Sequence, residues 1–146
     1  MTTLNVYLTF NGNCEEAFHF YKSVLGGEFA HVARYGEMPP SDNCPAVPEE
    51  DKNKIMHVSL PISKETVLMG CDSSEAFGPP VVQGTNFSLS INAGTKEETD
   101  RIFKALSVGG QVTMPLDDTF WGSYFGMFVD KFGIQWMISY EITEHQ

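Results

Sequence analysis

Seven residues near the start of the chain return in its second half. Asn5-Val6-Tyr7-Leu8-Thr9-Phe10-Asn11 is answered 81 positions later by Asn86-Phe87-Ser88-Leu89-Ser90-Ile91-Asn92. Behind each copy comes a second matched segment. Glu15-Glu16-Ala17-Phe18-His19-Phe20-Tyr21-Lys22 pairs with Glu97-Glu98-Thr99-Asp100-Arg101-Ile102-Phe103-Lys104, and the glycine pair Gly26-Gly27 with Gly109-Gly110. A repeat of about half the chain implies two copies of one supersecondary unit sharing a core, not a solenoid. Two such units enclose a cleft with equivalent positions facing across it, so functional residues are expected there.

Within each copy the periodicity changes from two to that of a helix. Val6, Leu8 and Phe10 alternate with Asn5, Tyr7, Thr9 and Asn11, which predicts a half-buried strand over 5–11 and its counterpart over 86–92. Asn13 with Glu16, and Thr95 with Glu98, stand in capping-box register. The stripes Ala17, Phe20, Tyr21, Val24 and Ile102, Phe103, Leu106 then predict amphipathic helices stopped by the glycine pairs. Further strands are expected at 28–35, 55–62 and 66–72, and at 111–116, 123–129 and 134–140. Each half reads β-α-β-β-β, residues 1–72 and 85–140 joined by a linker at 73–84, all within one domain of 146 residues. Gly36–Asn53, with four prolines and the acids Glu49-Glu50-Asp51, predicts a long binding or lid loop.

Charge narrows the choice of partner. Nine basic against nineteen acidic side chains give −10, and such a surface repels phosphate backbones and anionic lipids. Nucleic acid and membrane partners are therefore not expected. Met1–Phe10 lacks a basic region followed by an apolar run, and no stretch reaches the roughly 18 apolar residues of a membrane span. Cys14, Cys44 and Cys71 are scattered and odd in number, which suits reduced thiols in a cytoplasm better than a disulfide frame or zinc site.

Several strings carry a family resemblance: Tyr7-Leu8-Thr9-Phe10-Asn11-Gly12-Asn13-Cys14, Phe20-Tyr21 with Leu25-Gly26, Gly36-Glu37-Met38-Pro39 and Asn43-Cys44-Pro45. His57, Thr119-Phe120-Trp121, Asp130-Lys131-Phe132-Gly133 and Trp136-Met137-Ile138 extend it. On these residues the chain resembles the vicinal oxygen chelate superfamily (glyoxalase I, extradiol dioxygenases, bleomycin-resistance proteins), and within it the PhnB-like, YjdN-type branch. The resemblance implies an α+β, glyoxalase-like fold in which duplicated β-α-β-β-β units form a curved mixed sheet around a cleft, commonly in a homodimer. It implies no particular reaction. No glycine-rich strand-to-helix turn of the kind a nucleotide-type cofactor needs is present, and no cofactor is expected.

Metal-dependent relatives place His and Glu ligands on the first and last strands of each unit. The corresponding positions here are Asn5 and Asn86, with Met69 and Met137 or their immediate neighbours. Amides and thioethers are a poor set for Zn, Ni, Fe or Mn, so no metal ligand is assigned. His57, in the strand Ile55–Leu60, is a candidate general base if it faces the cleft, against the alternative of a hydrogen-bonded strand histidine. Glu37 is its candidate acid or orienting partner, against a solvated loop carboxylate. Cys44 has acidic surroundings, which favour an inert thiol over a nucleophile. Asn5, Tyr7, Thr9, Asn86, Ser88 and Ser90 are expected to line the cleft. Trp121 and Tyr124, with Phe120 and Phe125 around Gly122 and Gly126, would form a stacking wall for a ligand, or else fill the core or a dimer interface. The leading expectation is a homodimeric, metal-independent protein that binds an unidentified small organic molecule. The alternatives are a lyase, isomerase or hydrolase using His57 and Glu37, a metal-dependent glyoxalase-like enzyme, and a cleft for a protein partner.

Overall fold

In the computed structural model, which describes residues 2–38 and 46–141, the chain divides into two compact units, Met1–Val82 and Gln83–Gln146. The first unit contains β1 (Val6–Phe10), α1 (Cys14–Leu25), β2 (His31–Arg34), β3 (Ile55–Pro61) and β4 (Val67–Asp72). Its sheet runs β1-β4-β3-β2, with β1 parallel to β4 and the other pairs antiparallel. Alternation in β1 does what its period of two requires: Leu8 and Phe10 are buried, Tyr7 and Thr9 exposed. Helix α1 covers the apolar face with Cys14, Ala17, Phe18, Tyr21 and Val24. Phe18 replaces Phe20 in the expected stripe, because Phe18 meets the sheet at Gly70. A Cβ on Gly70 would stand 2.7 Å from the Phe18 ring and 2.7 Å from the Leu8 carbonyl oxygen.

The capping box expected at Asn13 does not form; the Asn13 side chain makes no cap hydrogen bond. Asp72, from the far end of β4, takes that place. Its carboxylate accepts the backbone N–H groups of Gly12 (3.0 Å), Cys14 (2.8 Å) and Ile55 (2.9 Å). An acid at a helix N-terminus satisfies orphan donors and suits the helix dipole. Gly26 ends the helix with φ +83°.

The second unit contains β5 (Leu89–Asn92), α2 (Lys96–Leu106), β6 (Gln111–Asp118), β7 (Ser123–Val129) and β8 (Gln135–Glu141), in sheet order β5-β8-β7-β6. Here the expected cap forms, the Glu98 backbone N–H donating to Thr95 Oγ1 at 3.1 Å. Ile102, Phe103 and Leu106 pack with Phe128, Trp136 and Ile138 in the core. Asp130 organises the β7–β8 turn, accepting from the N–H groups of Phe132 and Ile134 and from Trp136 Nε1.

The repeat is real, but its register differs from the sequence match. Ile62 N–H donates to the Thr66 carbonyl, and Asp130 N–H to that of Ile134, so Met69 corresponds to Met137. Tyr7 lies level with Met69 and Ser90 with Met137, which makes Ser90, not Ser88, the counterpart of Tyr7. Asn86 accordingly falls outside β5, which begins at Leu89. A slip of two residues preserves every inward and outward position, so alternation alone cannot detect it.

Candidate functional site

On the face of the first sheet opposite α1, Tyr7 and Thr9 of β1 stand beside Met69 and Cys71 of β4. Next come His57 and Ser59 of β3, then His31 and Ala33 of β2. Two strands lie between Tyr7 and His31, and the His57 ring between them reaches both. The Tyr7 hydroxyl is 3.4 Å from His57 Nδ1, with ring centroids 5.8 Å apart, and the His57 and His31 centroids are 5.4 Å apart. Burial, and next the neighbouring Cys71 thiol, push the Tyr7 pKa well above the ordinary phenol value. A phenol that keeps its proton can donate to Nδ1 or accept from it, according to the imidazole tautomer. Cys71 Sγ lies 4.0 Å from Thr9 Oγ1. The face thus gathers a phenol, two imidazoles, a hydroxyl and a thiol, with Tyr7 still 48% exposed.

The other expected site residues are distributed differently. Glu37 is not joined to His57; its carboxylate accepts the Arg34 backbone N–H at 2.9 Å, capping the short 3₁₀ turn Tyr35–Glu37. Asn5 Oδ1 accepts the Val67 N–H at 3.2 Å, so this amide oxygen secures the start of the β1–β4 pairing. Asn86 and Ser88 precede β5. Trp121, 56% exposed, sits in the β6–β7 turn between Phe120 and Phe125, with ring centroids 4.9 and 6.1 Å away. Tyr124 belongs to the opposite side of its strand. Its hydroxyl donates to Asp100 of α2 at 2.6 Å, and Lys96 Nζ lies 4.7 Å from its ring centroid. Hydrogen bonding to that carboxylate, ahead of burial, pushes the Tyr124 pKa up to about 12. Cys44 lies outside the described residues. Trp136 is a core residue, 3% exposed. Sequence reasoning missed His31, whose period-two placement beside His57 needed the β2–β3 register to become visible.

The superfamily's metal was tested against these side chains. Among the described residues no group of three His, Cys, Asp or Glu could hold an ion. The last-strand positions carry thioethers level with a phenol and a serine hydroxyl, and the Asn5 amide oxygen is already engaged. This donor set does not fit a hard divalent cation. Among the described residues no helix is long and apolar enough to cross a membrane.

The family model described as 3-demethylubiquinone-9 3-methyltransferase matches residues 2–139. Protein YjdN of Escherichia coli (strain K12) is 33% identical over 141 residues, covering 93% of each chain. Among solved structures, protein PA1353 from Pseudomonas aeruginosa is 40% identical with TM-score 0.83, covering 97% of this chain and 98% of that one. A PhnB protein from Bacillus cereus is 26% identical with TM-score 0.74, covering 95% and 99%. A glyoxalase/bleomycin resistance protein from Albidiferax ferrireducens, 16% identical with TM-score 0.61 over 97% and 99%, shares the fold. Backbone N–H groups at both helix starts already have acceptors. Asp72 takes the N–H groups of Gly12 and Cys14, and Thr95 takes that of Glu98.

Proposed function

Because the chain belongs to the PhnB-like, YjdN-type branch of the glyoxalase/bleomycin-resistance superfamily, we propose that it is a metal-independent, homodimeric, cytoplasmic protein that binds a small organic molecule. The observation that carries this reading is the Tyr7–His57–His31 group on the face of the first sheet opposite α1. Three polar rings on a strand surface are ready to hold a planar molecule by stacking and by hydrogen bonds. The poor metal donor set supports metal independence. Thr9 and Cys71 supply a hydroxyl and a thiol at the edge of the group. Native mass spectrometry of protein purified from cells without added metal tests the reading. The expected result is a dimer without stoichiometric divalent metal, carrying a retained small molecule that Tyr7→Phe and His57→Ala release. A divalent ion held at one per chain overturns it.

The Tyr7–His57 contact favours one second reading, a lyase, isomerase or hydrolase working by proton transfer. In that reading His57 is the base and Tyr7, in place of Glu37, is the residue that orients it. It requires a pH–rate profile whose lower limb disappears in His57→Gln.

A further inference from the structure

Helix α1 packs on β3 and β4 but leaves the outer strand partly uncovered. Val32 of β2 is 43% exposed, although its register partner Val58 is only 2% exposed. The result is a trough of about 120 Å³ between α1 and β2, walled by Phe18, Phe29, Val32 and Val58, with Glu15 and His19 at its rim. Two features keep it from collapsing. Phe29 is held at one end, edge-on to His19 at 5.4 Å and with Lys22 Nζ 5.2 Å from its ring centroid. At the other end Arg34 grips both Glu15 carboxylate oxygens, at 2.5 and 3.1 Å, and bonds the Asn53 carbonyl at 2.7 Å.

We propose that this trough is a second binding site, for an uncharged single-ring aromatic molecule bearing a hydroxyl. Its volume is the first argument: an enclosed apolar cavity of roughly 150 Å³ admits benzene, and this trough of about 120 Å³, open on one side, has room for a single ring and no more. The walls are the second. The partly exposed Phe29 ring stands over a buried apolar floor of Phe18, Ile55 and Val58, and a flat ring is the shape that covers such a floor. The rim is the third. The Arg34 guanidinium beside Glu15 holds its carboxyl below the usual carboxylate range, so the charge at the mouth is already matched and a charged ligand finds no counter-ion. His19, with its side chain 63% exposed and Nε2 3.9 Å from Glu15, can exchange a hydrogen bond with a ligand hydroxyl. The trough lies on the opposite face of the sheet from Tyr7 and His57, so the two sites are chemically and experimentally separate.

Titration of the full chain with phenol, followed by methyl and aromatic NMR, tests the assignment. Saturable shifts are expected at Val32, Val58 and Phe29, with an affinity on the order of 1 mM, unchanged in Tyr7→Phe. Val32→Phe fills the trough from a partly exposed position and should weaken phenol at least about tenfold. Val32→Thr keeps the side-chain volume, adds a polar group to the wall, and should weaken it several-fold even if the phenylalanine variant folds poorly. Benzene should bind more weakly than phenol, and His19→Ala, which also loosens Phe29, should weaken phenol more than benzene. Phenol shifts confined to Tyr7, His31 and His57, unchanged affinity in both Val32 variants, or no saturation at tens of millimolar would each overturn the proposal.

Discussion

Asp72 is 1% exposed, and its carboxylate ties together three segments far apart in sequence: the β1–α1 turn, the start of α1 and the start of β3. Replacing it with alanine leaves the N–H groups of Cys14 and Ile55 without an acceptor in buried surroundings, and that of Gly12 in partly buried ones. A buried donor left unsatisfied costs about 1–3 kcal/mol, so Asp72→Ala should lose roughly 3–5 kcal/mol out of a total of about 5–15 kcal/mol. Asp72→Asn keeps the shape and one acceptor oxygen but turns an NH₂ group toward one of the three donors. It should lose less, about 2–3 kcal/mol. Urea unfolding followed by circular dichroism measures both. With a slope of about 1–3 kcal/mol/M, the alanine midpoint should fall by at least about 1 M. An alanine variant within about 1 kcal/mol of the parent, at unchanged slope, would show that water or another group satisfies these donors and would refute the role given to Asp72.

The two helix starts should respond oppositely to removal of their own cap residues. Thr95→Ala should cost about 1 kcal/mol and Asn13→Ala close to nothing by the same urea assay, because Asp72 already caps α1. Gly70→Ala should destabilise by about 1–3 kcal/mol through overpacking, since the added carbon meets the fixed Leu8 carbonyl as well as the Phe18 ring. The Tyr124 phenol should titrate at about 12 by labelled-tyrosine NMR, and Asp100→Asn should return it toward ten. Its folded value is raised, so its contribution to stability is whole below the unfolded value near ten and is lost as pH climbs toward twelve. Flat stability over that alkaline window in the parent would argue against the Tyr124–Asp100 bond.

Local chemistry made much of this fold legible. Alternation marked strands at 55–62 and 123–129 that correspond closely to β3 and β7. Thr95 and Glu98 announced α2 because their cap is built from neighbours in sequence. What escaped were interactions whose partners lie far apart. The cap of α1 comes from Asp72, some sixty residues away, so the Asn13–Glu16 signal pointed to the right place for the wrong reason. Phe18 reads as a position beside the stripe until Gly70 makes room for it. The face of His57 was open in the sequence, and the β3–β4 and β2–β3 registers set it with Tyr7 and His31. Glu37, by contrast, has its nearest donor three residues back in its own turn, and a local bond of that kind competes directly with a long-range catalytic one.

The corrected register also changes what the duplication says about chemistry. In the matched hairpins His57 corresponds to Phe125 and Cys71 to Ser139, and in the first strands Tyr7 corresponds to Ser90 and Thr9 to Asn92. A donor set copied by the duplication would put like groups at equivalent positions in both units. Here equivalent positions carry unlike groups. The first unit holds a phenol and imidazoles on the face opposite its helix. The second holds Phe125, the thioethers of Met127 and Met137, and an Asn92–Ser139 pair already bonded to itself at 2.6 Å. Hydrogen bonding is concentrated in one copy and apolar contact in the other. Among the described residues neither face gathers three ligands of the kind a divalent ion takes. Exchanging the characters of the two copies is therefore a sharper test than deleting either. His57→Phe should lose ligand retention outright, while Phe125→His should gain neither metal nor ligand, because Ser90 and not a phenol stands at the position of Tyr7. Stoichiometric zinc uptake by the Phe125→His variant would show that the symmetry had been hidden and not lost.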